Sequence, residues 1–148
     1  MGTNSNLTIV FTTGAFDLFH FGHVCFLREA KKYGDYLLVG VHSDRTIAKY
    51  KGRLPVMNLM ERMAVVDSCK YVDRVIVAKM TSEVDENFYK KWKINLHLQG
   101  DDGGDWYELP KKLGIFKLLP ECKIFSTTEV IRRVKEDYPR IINKESFK

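Results

Sequence analysis

Short apolar, β-branched runs alternate with helix-period segments along this chain, and that alternation leaves few folds open. Leu7 to Thr12 is the first run, ending at Gly14 in a glycine-punctuated turn. From Gly22 to Tyr33 the apolar positions Val24, Phe26, Leu27 and Ala30 fall on a helical period, with Gly34 as a C-terminal stop. Tyr36 to Val41 is continuously apolar, as expected of a parallel strand covered on both faces. Asn58 with Glu61 reads as an N-cap pair opening a helix whose Leu59, Met63 and Val66 share a face. Arg74 to Val77 is a third strand, Ser82 with Asp85 opens a helix toward Trp92, and Leu96 to Leu98 is a fourth strand. Ser126 with Glu129 forms a capping box for a last helix through Val134. Such a pattern predicts an α/β fold, a doubly wound, Rossmann-like parallel sheet with its ligand site beyond the carboxyl ends of the strands. With 148 residues, no internal repeat and no low-complexity linker, one domain over 1–148 is expected.

Composition narrows the class. At 45% hydrophobic and 29% charged residues the chain is that of an ordinary globular protein, and no apolar run approaches the roughly 20 residues a membrane span needs. Met1 to Asn6 is short, polar and uncharged, unlike a secretory signal, and Asn6 stands where a myristoylation pattern wants Ser or Thr. Cys25, Cys69 and Cys122 are odd in number and far apart, which suits reduced thiols and a cytoplasmic location. The net charge of +5 suits an anionic partner or simply solubility; the basic residues are scattered without interleaved aromatics, so no nucleic-acid partner is expected.

The chemistry concentrates in the eleven residues from Thr13 to His23, between the first strand and the first helix. A helix N-terminus there presents unpaired N–H groups and the positive end of the dipole, and Gly14 and Gly22 allow close approach of a phosphate. His20 and His23, three apart, can both donate to one set of phosphate oxygens. As a metal site the pair lacks further ligands at suitable spacing, so no protein metal site is expected; as two satisfied structural histidines it leaves the surrounding glycines unexplained.

His20-Phe21-Gly22-His23, after Gly14-Ala15-Phe16-Asp17, resembles the HxGH signature of the nucleotidyltransferases. Further segments narrow the likeness to the cytidylyltransferases: 53–58 with Glu61-Arg62 and 69–75 resemble the second helix and dimer-forming region, and 100–102, 105–107 and 111–116 the eukaryotic choline and ethanolamine branch. Ser126-Thr127-Thr128-Glu129 resembles the segment that begins the family's last helix, so the likeness runs from about Leu7 to Tyr138. The resemblance implies transfer of CMP from CTP to phosphoethanolamine, phosphocholine or glycerol 3-phosphate in phospholipid precursor synthesis, with pyrophosphate released. It implies a homodimer and a Mg²⁺ ion carried mainly by the triphosphate.

By the same resemblance His20 and His23 hold the CTP phosphates and stabilise charge on the α-phosphate. Lys49 or Lys51, in a flexible basic loop, would clamp the phosphates, or would be solvated loop charges. Gly14, Ala15, Phe16, Gly22, Arg62, Gly100, Asp101, Asp102, Ser126 and Thr127 are the further nucleotide-binding candidates, although Asp101 and Asp102 also suit a bare turn and Ser126 a plain cap. Asp17 and Tyr107 would face the acceptor headgroup, since a carboxylate and an aromatic ring both attract an ammonium ion.

Two departures stand out. Glu121 and Ile124 occupy the places of a phosphate-binding arginine and a glycine in the eukaryotic branch, and Ala78-Lys79-Met80 replaces Ala-Pro-aromatic, the aromatic being part of the choline cage. The first keeps open a nucleotide-binding protein without turnover, and the second weakens choline as acceptor. An adenylyl- or heptose-type transferase on the same scaffold is the rival enzyme.

Overall fold

The computed structural model describes residues 7–100, 104–120 and 125–143. Strands β1 (Ile9–Gly14), β2 (Tyr36–His42), β3 (Arg74–Ala78), β4 (Ile94–Gln99) and β5 (Phe116–Leu118) form a wholly parallel sheet in the order β3-β2-β1-β4-β5. The helices are α1 (Phe21–Lys31), α2 (Asp44–Lys51), α3 (Leu59–Asp67), α4 (Glu86–Lys91), α5 (Glu108–Lys112) and α6 (Thr127–Asn143). None of the described helices is long and apolar enough to cross a membrane.

Successive strand residues face opposite sides, so continuous apolar runs feed two cores. Val10, Leu37, Val39 and Val41 pack with Leu27 and Ala30 of α1 and Val66 of α3. Phe11 and Leu38 pack on the other face with Tyr89 of α4. The expected doubly wound sheet is therefore the observed one: from β1 the chain winds out through β2 to β3, then returns across β1 to β4 and β5.

Local chemistry sets the helix starts, with two corrections to the sequence reading. Asn58 and Glu61 make the expected reciprocal capping box of α3. At α4, however, the cap is Asp85, which accepts from Phe88 N at 3.0 Å, while Ser82 lies in a 3-10 turn, Thr81–Glu83. At α6, Ser126 Oγ accepts from Glu129 N at 3.2 Å, but the Glu129 carboxylate turns to Arg132 and Arg133 instead of completing the box.

The segment carrying Lys49 and Lys51 is a helix, not a flexible loop. Ser43 Oγ accepts from Thr46 N at 3.1 Å to start α2, and Gly52, at φ +68, ends it in the left-handed conformation that glycine permits. Only Ile47 of α2 is buried, too little to leave an apolar period in the sequence.

Candidate nucleotide-binding site

β1 and β4 are neighbours whose onward connections run in opposite directions, which opens a crevice at their carboxyl ends. A cavity of about 640 Å³ lies there, walled by the β1–α1 turn, the ends of β2 and β4, Lys51 and Arg53, and Ser126 to Thr128. Of the expected site residues, it brings together Gly14, Ala15, Phe16, Asp17, His20, Gly22, His23, Lys51, Gly100, Tyr107, Ser126 and Thr127.

The first turn of α1 fixes the tautomers of the two histidines. Gly22 N donates to His20 Nδ1 at 3.1 Å, and His20 N donates to His23 Nδ1 at 3.2 Å, so each imidazole closes one end of a capping box. A neutral imidazole that accepts at Nδ1 carries its proton on Nε2. Burial, with His20 and Lys51 nearby, pushes the His23 pKa down to about 3, and burial lowers that of His20. Near pH 7 both rings are therefore neutral N–H donors, stacked with centroids 3.8 Å apart. The first turn of α1 holds no acidic residue, leaving its positive dipole end for an anion.

The glycines act by close packing. A Cβ on Gly22 would stand 2.8 Å from the carbonyl oxygen of Phe125 and 3.0 Å from the His20 ring, so only glycine lets the backbone just before α6 lie against α1. Thr127 Oγ1 donates to Asp17 O at 3.2 Å, tying the start of α6 to the β1–α1 turn. Two helix N-termini thereby converge on the cavity. Phe16 and Leu18 adopt positive φ, 52° and 46°, and such strain in a bulky residue is typical of functional turns.

Other expected residues take different places. Arg62 is fully buried and off the cavity wall: Nη1 donates to Ala15 O at 2.6 Å, Nε to Met57 O at 3.0 Å, and Nη2 pairs with Asp44 at 2.6 Å. It braces the turn from behind instead of meeting a nucleotide. The Asp17 carboxylate accepts from Leu18 N, Val56 N and Met57 N at 2.9–3.1 Å, so it holds the loop before α3 and is not free for a headgroup. Lys49 is not on the cavity wall and pairs with Glu83 at 3.3 Å on the surface. The Tyr107 ring does reach the wall, stacked on Phe116. Asp101, Asp102, Glu121 and Ile124 lie outside the described residues.

Several wall residues were not foreseen. Gln99 ends β4, and His42 ends β2; both could have been found by extending each strand by one residue and taking its carboxyl end as site. Gln99 terminates a buried chain of hydrogen bonds. The Tyr89 hydroxyl, kept protonated by burial, donates to His97 Nδ1 at 2.9 Å, and His97 Nε2 donates to the Gln99 amide oxygen at 3.0 Å. That oxygen also accepts from Thr13 N, and the amide nitrogen donates to Thr13 O, each at 3.2 Å. The hydrogen-bonded chain clamps the end of β1, where the turn to α1 begins.

A parallel α/β sheet with paired imidazoles over a helix N-terminus at its switch point places the chain in the HxGH class of proteins. Residues 11–133 match the sequence model of the cytidylyltransferase-like family, and the chain belongs to that family. It is 41% identical over 138 residues to the ethanolamine-phosphate cytidylyltransferase of Dictyostelium discoideum, covering 87% of this chain and 38% of that protein. It is 38% identical over 143 residues to the enzyme of that name from Arabidopsis thaliana, covering 90% of this chain and 34% of that protein. The chain thus spans little more than a third of these relatives. Among solved structures it resembles the lipopolysaccharide core biosynthesis protein of Thermoplasma volcanium, with a TM-score of 0.62 and 31% identity over 78% of this chain and 96% of that one.

Proposed function

We propose that this chain transfers CMP from CTP to a small phosphorylated alcohol, with phosphoethanolamine as the first candidate, and releases pyrophosphate. The observation that carries this reading is the pair of neutral imidazoles, each with its ring proton on Nε2, that line the cavity at the start of α1. In the reaction a phosphate oxygen of the acceptor attacks the α-phosphorus in line. The new P–O bond forms as the bond to the bridging α,β-oxygen breaks, and pyrophosphate leaves with the electron pair. Charge rises on the α-phosphoryl oxygens, where fixed N–H donors are worth most. In this reading Lys51, on the cavity wall, meets the departing pyrophosphate, and Ser126 and Thr127 meet a second set of phosphate oxygens at the start of α6.

Among the described residues no group of three His, Cys, Asp or Glu side chains could hold a metal, and the Asp17 carboxylate and both Nδ1 atoms are occupied by backbone N–H groups. These residues fit a Mg²⁺ that enters on the triphosphate and neutralises charge there. Exposed Leu54, Val56 and Met60, in the segment that resembles the family's dimer region, support a homodimer. The odd number of cysteines, three and far apart in sequence, suits a reducing, cytoplasmic location.

The test is a pyrophosphate-release screen of CTP and ATP against the three acceptors. Release with CTP and at least one acceptor is expected; preference for ATP would favour an adenylyl-type transferase. Calorimetric CTP binding without any release would favour a protein that binds without turnover.

A further inference from the structure

The hydrogen-bond network behind the cavity leads back to a residue that takes no part in the wall. His97, the fourth residue of β4, is fully buried and does not line the cavity, yet it holds residues that do. Side chains two apart on a strand share a face, so His97 stands beside Gln99, and its Nε2–H reaches the Gln99 amide oxygen at 3.0 Å. Its ring also meets Tyr107 edge-on at 5.7 Å. Gln99 and Tyr107 are both on the wall. Phe11, Tyr89 and Phe116 pack around the same ring, with centroids 5.0, 5.9 and 6.1 Å away.

What the network grips is the end of β1. The backbone register of β1 with β4 stops at Phe11 opposite His97, two residues short of Thr13. Beyond it a side chain stands in for the ladder: the Gln99 amide oxygen accepts from Thr13 N and the amide nitrogen donates to Thr13 O, each at 3.2 Å. The N–H and C=O of Thr13 cannot trade places, so the amide has one orientation and turns its oxygen to His97. Nε2 must then carry the ring proton, Nδ1 must accept, and the Tyr89 hydroxyl must donate to it at 2.9 Å. A buried network satisfied at every step rigidifies what it holds. Apolar rings of the same shape would fill this core without a network, so packing alone does not account for a hydroxyl and an imidazole among Phe11, Tyr107 and Phe116.

Resting on the proposed CMP transfer, we propose that His97 is a positioning residue for that reaction: backed by Tyr89, it pins Gln99, and through Gln99 it fixes the end of β1 from which the turn to His20 and His23 springs. Neither His97 nor Tyr89 lines the cavity, so neither is assigned a contact with nucleotide or acceptor. Fixed N–H donors are worth most where charge develops, so loosening the turn falls on turnover more than on nucleotide binding. A displacement of about 1 Å in such a site costs on the order of 10²-fold.

The test is steady-state pyrophosphate release with CTP and the acceptor that the release screen selects, paired with urea unfolding. His97→Phe, and Tyr89→Phe combined with His97→Phe, should each lower kcat at least tenfold with KM for CTP within threefold of wild type. The double variant leaves no unpaired hydroxyl, so its urea midpoint should stay near that of wild type. His97→Gln, whose amide nitrogen stands at the same bonded position as Nε2, should keep kcat within threefold of wild type. A double variant that turns over within threefold of wild type overturns the proposal, and so does His97→Gln falling as far as His97→Phe. ¹⁵N NMR of the wild-type chain covers variants that fail to fold: His97 should carry its proton on Nε2, and CTP with Mg²⁺ should move that signal although the ring lies behind the wall. A proton on Nδ1, or a signal that CTP leaves unmoved, overturns the proposal. No pyrophosphate from the wild-type chain with any acceptor rejects the transfer reading itself, and the NMR response alone then decides whether the network is coupled to the nucleotide site.

Discussion

His23 has two separable duties, and two substitutions divide them. Its Nδ1 accepts the backbone N–H of His20, its Nε2 carries the ring proton, and the residue lines the cavity. In His23→Asn the amide oxygen occupies the bonded position of Nδ1 and keeps the cap, while nothing replaces the Nε2 donor. Loss of one fixed donor to a developing oxyanion costs about 10²- to 10³-fold in turnover, or roughly 2.7–4 kcal/mol. His23→Ala should lose as much turnover and, in addition, the reciprocal cap, worth about 1 kcal/mol. Both variants lose the ring contacts with Phe16 and Phe19, so their stabilities should differ by the cap alone. The assay is steady-state pyrophosphate release with CTP and phosphoethanolamine, paired with urea unfolding of each variant. Turnover of His23→Asn within tenfold of wild type, or equal stability of the two variants, would refute the assignment of tautomer and role.

Three further outcomes are expected. Lys51→Ala should weaken CTP binding more than CMP binding in calorimetry, whereas Lys49→Ala, whose lysine pairs with Glu83 away from the cavity, should change neither by more than about twofold, within the few tenths of a kcal/mol of a surface pair. Gly22→Ala should destabilise the chain by about 1–3 kcal/mol in urea unfolding, because the new Cβ stands 2.8 Å from the Phe125 carbonyl; an unchanged midpoint would mean that the two helix starts are not in contact. His97 is fully buried with its pKa pushed down to about 3, so below pH 6.5 the unfolded chain takes up a proton that the folded chain refuses. Stability should fall with pH from 6.5 toward 4, by up to about 1.4 kcal/mol per unit from this group, and His97→Gln should show a slope smaller by that share, the remainder coming from His23, whose pKa is also pushed down to about 3.

The fold was legible in the sequence where burial is two-sided. Val10 with Phe11 and Leu37 with Leu38 leave uninterrupted apolar runs because each strand feeds both cores, and caps such as Asn58 with Glu61 are spelled out within four residues. Elements that bury little were not legible: α2 buries only Ile47, and β5 is three residues long and mostly exposed. The same division runs through the site. His20, Gly22 and His23 act through neighbours two or three residues away and so carry their signature in sequence. Arg62 and Asp17 read equally well as ligand-binding groups, because what occupies them, Asp44 and Ala15 for one and Val56 and Met57 for the other, comes from distant segments. His42 and Gln99 escaped notice because a single polar residue at the end of an apolar run looks like the strand's exit, although in a doubly wound sheet that exit is the wall of the site.

The central claim, that an acceptor phosphate attacks the α-phosphorus of CTP in this cavity, is tested most directly by oxygen labelling. The wild-type chain is incubated with CTP, Mg²⁺ and phosphoethanolamine carrying ¹⁸O on its phosphate oxygens, and the products are read by ³¹P NMR. The expected product is CDP-ethanolamine whose bridging oxygen carries ¹⁸O, beside pyrophosphate free of label. An unlabelled bridge, labelled pyrophosphate, or the absence of any CDP-ethanolamine would contradict it.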